Sequence, residues 1–273
     1  MHDRMIAFSE INDVFHSILF ATLICSARLF AAFSIFQATA KQVLQGRVYS
    51  GVALVIGVFI AVGQQVDMFV QFNGVNFFVL ALKEMFIGTL LGFMAATVFW
   101  TAEGVGAMID NVAGYNNVQQ QNPLSSNSST PISSLLLQLC VTLFYVFGGF
   151  LFLLDAIFET YRWWPVQSMV PMPAVFLERF VIHQTDTLMT QIVKIASPVL
   201  VVMLLIDLGF GLIAKTAGKL EPNSLAQPIK SATALLVLLL SLSIFVQQLS
   251  VSLSLADLKQ QLHIWANLKS ASP

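Results

Sequence analysis

The sequence predicts an all-α membrane protein of about six apolar helical segments, and three observations carry that expectation. Of the 273 residues, 57% are hydrophobic and only 10% are charged, whereas soluble domains run at about 45–50% and about 25%. The apolar residues gather into runs, several of them long enough for the roughly 20 helical residues that cross a bilayer. Between the runs lie short polar connectors, none with the composition of a disordered linker or a separate soluble domain. Residues 1–273 therefore read as a single membrane-helical domain.

Taken in order, residues 14–40 form the first apolar run, interrupted by Arg28 alone. A short basic turn, residues 41–47, follows. Residues 49–63 are apolar but short for a full span, so the first two segments read as a hairpin. A polar connector, residues 64–76, carries one charge, Asp67. Residues 77–100 make the third segment and residues 132–154 the fourth. The stretch 155–186 is amphipathic and proline-marked; its Tyr161, Trp163 and Trp164 suit an interfacial aromatic belt. A fifth segment, residues 187–214, contains Lys194, Pro198 and Asp207, and residues 215–230 form a polar loop. Residues 231–256 are a charge-free sixth segment, and the tail, residues 257–273, is amphipathic and helical up to Leu268. The first ten residues lack the pattern of a cleavable signal, so the first helix is expected to act as its own insertion signal.

Loop charges suggest an orientation. Residues 41–47 and 215–230 each carry a net +2, while residues 1–13 and 155–186 each carry -2. Six crossings with both termini outside place both basic loops in the cytoplasm, as the positive-inside rule prefers. The uncharged connector between the third and fourth segments would share that side, although its neutrality gives the rule nothing to act on.

The chain is organised around residues 83–139. Glu84, Gly88, Gly92 and Ala96 follow at i+4 and make a small-residue stripe with a carboxylate at one end. Gly88, Gly92 and Ala96 read as a helix–helix contact, because small residues let backbones approach where no hydrophobic gradient drives association. Glu103, Ala107, Asp110 and Gly114 share a second face. Its two carboxylates face either partner protein and water within the membrane or a wetted helix end; spacing leaves both open. Beyond them no residue from Tyr115 to Ser134 carries a charge. That loop offers Tyr115, Asn116, Asn117, Gln119, Gln120, Gln121, Asn122, Pro123, Ser125, Ser126, Asn127, Ser128, Ser129, Thr130 and Pro131. Exposed loops ordinarily carry Lys, Glu or Asp, and long structureless loops are either functional or disordered.

The remaining buried charges need partners. Arg28 stands mid-segment, too deep to snorkel, and calls for a carboxylate or a helix end. Lys83 and Glu84 sit together at the mouth of the third segment. Asp207, deep in apolar sequence, calls for a buried hydrogen bond to a partner, whereas Lys215 fits a helix end at the interface. Pro198 predicts a kink whose freed carbonyl needs another donor. Met85, Met94 and Met108 read as packing.

Other functions find no support. A net charge of -1 with scattered basic residues gives no footprint for nucleic acid. His2, His16, His183 and His263 are too dispersed to pair as metal ligands, and Cys25 and Cys140 lie in apolar runs. No nucleophile elbow or P-loop occurs, and Gly209-Phe-Gly211 follows no strand. No cofactor and no catalysis are expected. A small-solute transporter remains the alternative, since it too would place Glu84, Lys194 and Asp207 in the membrane. Transporters, however, tend to show paired broken helices in corresponding halves.

Several motifs stand together in an order that resembles a known family. They are Lys83-Glu84, Gly88-xxx-Gly92, Glu103-x-x-Gly106, Ile109-Asp110-Asn111, Gly114, Asn122-Pro123 and Ser129-Thr-Pro131. Downstream come Tyr161-x-x-Trp164-Pro165, Asp207-Leu-Gly-x-Gly211 and Pro228-Ile-Lys230. This constellation, over residues from about 80 to 230, resembles the SctT/FliR family, the export-gate membrane proteins of type III secretion systems. The Tyr-x-x-Trp-Pro and Ile-Asp-Asn elements look more like the injectisome branch than the flagellar one. The chain departs from relatives in staying uncharged near Ala113.

The resemblance implies a closed pore for unfolded secreted substrates, assembled with SctR-like and SctS-like membrane subunits and joined by an SctU-like switch protein. It implies bent hairpins packed on companions and on lipid, in a bacterial inner-membrane assembly partly raised toward the periplasm. It also implies that residues 114–131 act as a plug, with Arg28, Lys83, Glu84, Glu103, Asp110 and Asp207 buried or on the pore side.

Overall fold

Among its described residues the chain is all-helical apart from one two-residue ladder, as its apolar runs require, since lipid offers no partner to an open backbone. The structure is a computed structural model that describes residues 2–36, 46–63, 74–115, 120–121, 128–166, 174–216 and 222–253. Among these the helices are α1 (His2–Ile35), α2 (Gly46–Val62), α3 (Gly74–Ala113), α4 (Pro131–Val146), α5 (Gly149–Trp163), α6 (Ala174–Thr216) and α7 (Pro222–Leu253). The ladder pairs β1 (Gln120–Gln121) with β2 (Ser128–Ser129), antiparallel, with Gln120 opposite Ser129 and Gln121 opposite Ser128. The amphipathic tail lies outside the described residues, as do Asn116, Asn117, Gln119, Asn122, Pro123, Ser125, Ser126 and Asn127 of the loop.

Two features differ from the sequence expectation. The fourth apolar run is not one helix but α4 and α5, bent by 72° at Phe147–Gly148. Gly148 takes φ +70, with open space where a Cβ would stand. The glycine is thus there for its left-handed backbone and not for room. The Phe147 amide closes the turn on the Leu143 carbonyl at 2.9 Å, and the Gly148 amide on that of Tyr145 at 3.1 Å. Hydropathy cannot register such a break, because every side chain around it is apolar.

Helix length is the second. Among the described residues, three helices are long and apolar enough to cross a membrane, or four if the bent α4–α5 pair counts as one span. Shorter apolar stretches lie in α2, at Ser50–Val62, and in the fully described part of α7, at Ala226–Leu240. By contrast α3, with 40 residues, and α6, with 43, are longer than the bilayer core demands. Pro198 lies within α6, which continues through it. A proline here frees the carbonyl four residues back, and Ser197 Oγ donates to that Lys194 oxygen at 2.9 Å. The missing bond is replaced from the neighbouring turn.

The helices fall into two compact units. Of the described residues, one comprises 2–36, 46–63, 74–96 and 153–166; the other comprises 97–115, 120–121, 128–152, 174–216 and 222–253. In the first, α1 and α2 pack as a hairpin, and Ile24, Leu29, Phe33, Ala53, Leu80 and Leu153 are buried. In the second, α6 and α7 pack as a hairpin, and Phe99, Ile109, Leu136, Leu137 and Phe144 form a core closed by the edge-on rings of Phe99 and Phe144 at 5.5 Å.

Candidate functional site: a buried charge cluster and an anchored polar loop

Within the first unit, the stripe on α3 meets α1 of the same chain. A Cβ on Gly88 would run into the Arg28 carbonyl oxygen, and one on Gly92 would stand 3.0 Å from the Ala32 Cα. Ala96, at the far end of the stripe, is fully buried. With no side chains between them the two backbones touch, and Arg28 is thereby carried to the level of Glu84.

Arg28 and Glu84 are both fully buried, and Arg28 Nε donates to Glu84 Oε2 at 2.6 Å. The guanidinium spends its other donors elsewhere, Nη1 on Thr160 Oγ1 at 2.9 Å and Nη2 on the Trp164 carbonyl at 3.0 Å. Its flat face lies 3.8 Å from the ring centroid of Tyr161, a cation–π contact. The Tyr161 hydroxyl donates to the Cys25 carbonyl at 2.7 Å. Tyr161 is thus a buried partner of a charge and not an interfacial anchor, which corrects the aromatic-belt expectation for that residue. Lys83 Nζ lies 2.9 Å from Glu84 Oε1 and donates to the Val166 and Pro165 carbonyls at 2.7 and 3.3 Å.

The cluster therefore holds two cations and one anion. The carbonyls of Trp164, Pro165 and Val166, just beyond the end of α5, balance the excess positive charge, as a helix's negative end does. Thr160, Tyr161 and the three carbonyls were not singled out from sequence as partners of Arg28 and Lys83. The one signal available was that Tyr161 and Trp164 belong to a single short motif.

Within the second unit, α3 and α4 hold the described parts of the uncharged loop at both of its ends. At the first, α3 stops at Ala113, and Gly114 takes the left-handed φ of +81 that commonly ends a helix. The Ala113 carbonyl, left without an intrahelical donor, accepts Gln227 Nε2 at 2.9 Å and Ser231 Oγ at 3.3 Å from α7. At the second, α4 starts with Pro131 after Thr130, whose side chain makes no capping bond. Asp110 of α3 does that work instead: its Oδ2 accepts the Ser133 amide at 2.9 Å. Ser133 Oγ also donates to the Glu103 carbonyl at 3.0 Å. Gly106 makes the approach possible, since a Cβ there would overlap the Ser133 backbone. Between the two ends, the β1–β2 ladder draws the strands of the loop together.

Asp110 is fully buried, and Glu103 is partly exposed. Asp207 is 44% exposed in the single chain and forms an ion pair with Lys230 of α7. Gln227, Ser231 and Lys230 were not picked out as partners from sequence, because nothing in a polar connector marks which amide will reach back more than a hundred residues.

Comparison with known proteins agrees with this reading of the motifs. Residues 19–255 match the family model described as bacterial export proteins, family 1. The chain is 30% identical over 231 residues to the Yop proteins translocation protein T of Yersinia pestis, covering 84% of this chain and 88% of that one. It is 28% identical to the secretion system apparatus protein SsaT of Salmonella typhimurium, over 59% of this chain and 62% of that one. Against the flagellar biosynthetic protein FliR of Bacillus subtilis the identity is 23%, over 62% and 66%. The higher identity to the Yop protein favours the injectisome branch. A membrane-helical chain that matches the model over nearly its whole apolar length belongs to the bacterial export proteins, family 1, the SctT/FliR family.

Proposed function

We propose that this protein is a non-catalytic component of the inner-membrane export gate of a type III secretion system, in which residues 115–131 plug a pore for unfolded polypeptides. The observation that supports the plug most directly is the uncharged loop held at both ends, by Asp110 on the α4 side and by Gln227 and Ser231 on the α3 side. Amides and hydroxyls can hydrogen-bond to each other and to a passing chain without favouring either sign of charge, which a path for varied substrates needs.

The companions of this reading are SctR-like and SctS-like subunits, with an SctU-like switch protein, in an assembly partly raised toward the periplasm. Large apolar residues exposed on the single chain, such as Phe59, Val75, Leu204 and Leu239, would meet companions or lipid. The loop deletion is the test. Shortening residues 119–129 should leave the complex assembled but leaking small ions across the membrane. An assembled, ion-tight deletion would remove the plug assignment. Co-purification of two small membrane subunits separates the gate from a solute transporter, which would purify alone.

A further inference from the structure

Of the three described helices long enough to cross a membrane, α6 is the least covered by its own chain. In its apolar window 17% of the residues are buried, against 50% for α1 and 44% for α3. One face of α6, followed in steps of three and four residues, changes character at a single point. Toward the N-terminus that face carries His183, Thr187 and Thr190, polar and at least partly exposed. Toward the C-terminus it carries Val201, Leu205, Leu208 and Leu212, all more than half exposed. Lys194 stands at the change. It is exposed, and its ammonium has neither an ion pair nor a hydrogen bond among the described residues.

A cation beside hydrocarbon needs an anion or water. Three observations make that anion a lipid headgroup and not a carboxylate on another helix. Lys215, exposed at the end of α6, is 21 residues further on. At 1.5 Å per residue that is about 31 Å, the thickness of the hydrocarbon core. Between the two lysines the one charge is Asp207, which is paired with Lys230 and lies on the opposite side of the helix by its 3.6-residue repeat. Finally, the intervening face is made of large branched side chains, with Gly209 and Gly211 off it, whereas helices that pack in membranes approach on small residues.

We propose that this face of α6 lies against lipid and that Lys194 binds the phosphate of an anionic phospholipid at the edge of the bilayer. The helix crosses from Lys194 to Lys215, and on this face the half before Lys194 stands in water. The Lys194 carbonyl, freed by Pro198, falls at the same level and is satisfied by Ser197. This face carries its lipid whether or not the loop is a plug.

The test is photocrosslinking in the assembled complex, reconstituted into vesicles of equal phosphatidylglycerol and phosphatidylcholine. Benzoylphenylalanine replaces Thr187, Val201 or Leu205, one at a time, and the mass of each adduct identifies what lay against that position. Val201 and Leu205 should give phospholipid adducts, and Thr187 should give none. At Val201, two turns from Lys194, phosphatidylglycerol adducts should outnumber phosphatidylcholine adducts by about fivefold, the usual preference of a lysine near an anionic surface. Lys194→Gln should bring that ratio close to one, and Lys194→Arg should keep it. Neither change should disturb folding, since the Lys194 side chain is exposed and holds nothing described in its own chain.

A protein adduct at Leu205 in place of lipid would overturn the lipid face and put a companion helix there. Lipid at Thr187 would overturn Lys194 as the edge. Equal adducts of the two lipids with Lys194 in place, or an unchanged excess in Lys194→Gln, would overturn the headgroup site.

Discussion

Arg28 and Glu84 lie 56 positions apart and meet at 2.6 Å with neither side chain exposed. The meeting depends on Gly88, whose missing Cβ lets α3 rest on the Arg28 carbonyl. The ion pair and the close crossing are thus one feature: the glycine sets the distance and the charges fix the register. Lys83 and the carbonyls that follow α5 complete the charge balance.

Removing one member should therefore be worse than removing two. Arg28→Met leaves Glu84 buried with Lys83 as its remaining cation, and Glu84→Leu leaves Arg28 without a carboxylate. Each should destabilise by about 3–5 kcal/mol, the usual effect of breaking a buried pair. The double variant should recover a large part of that loss. Thermal melting of the extracted complex checks it, and additive losses would show that the pair is not coupled. Arg28→Lys should fail as well, because an ammonium cannot reach Glu84, Thr160 and the Trp164 carbonyl with one rigid fork.

Glycines on neighbouring helices should answer differently to the same change. Gly88→Ala and Gly92→Leu push α3 away from α1 and should lower the yield of assembled protein sharply. Gly51 has open space around it, so Gly51→Ala should be neutral or stabilising by up to about 1 kcal/mol, the helix preference of alanine. Equal losses at Gly51 and Gly88 would count against the close crossing.

The Ala113 end of the loop should depend on α7. Gln227→Ala and Ser231→Ala each remove one donor to the Ala113 carbonyl, and each alone should cost about 1 kcal/mol or less. Together they should leave that carbonyl unmatched and expose the end of α3 to exchange. Gly114→Ala should cost more than either, since its left-handed backbone disfavours a side chain by about 1–2 kcal/mol and the methyl group would collide with Gln227. Amide exchange at residues 110–115 measures the order of the three.

Asp207 offers a fourth check. It is paired with Lys230 and still 44% exposed, on a helix whose neighbouring Leu204, Leu205 and Leu208 are exposed as well. A carboxylate facing lipid would be costly, so its free side should meet a companion subunit. Asp207→Leu should reduce recovery of the complex and export together. Improved yield with unchanged export would show that the carboxylate touches nothing beyond its own chain.

The sequence by itself determined the membrane-helical class, the approximate extent of most helices and the uncharged loop. Those follow from composition and run length, properties each segment has alone. It also marked Arg28 and Glu84 as groups that an apolar segment cannot hold without partners, because the cost of burying a charge is local, and left Asp110 open between that reading and a wetted helix end. The tertiary structure decided which partners they have. Arg28 reaches Thr160 across 132 positions, and Asp110 caps α4 from across the loop. Such pairings depend on how whole helices cross, which no spacing rule encodes. The break at Gly148 and the continuity of α6 through Pro198 belong there too. In the first a backbone angle overrules an unbroken apolar run; in the second a serine hydroxyl replaces the bond that proline removes.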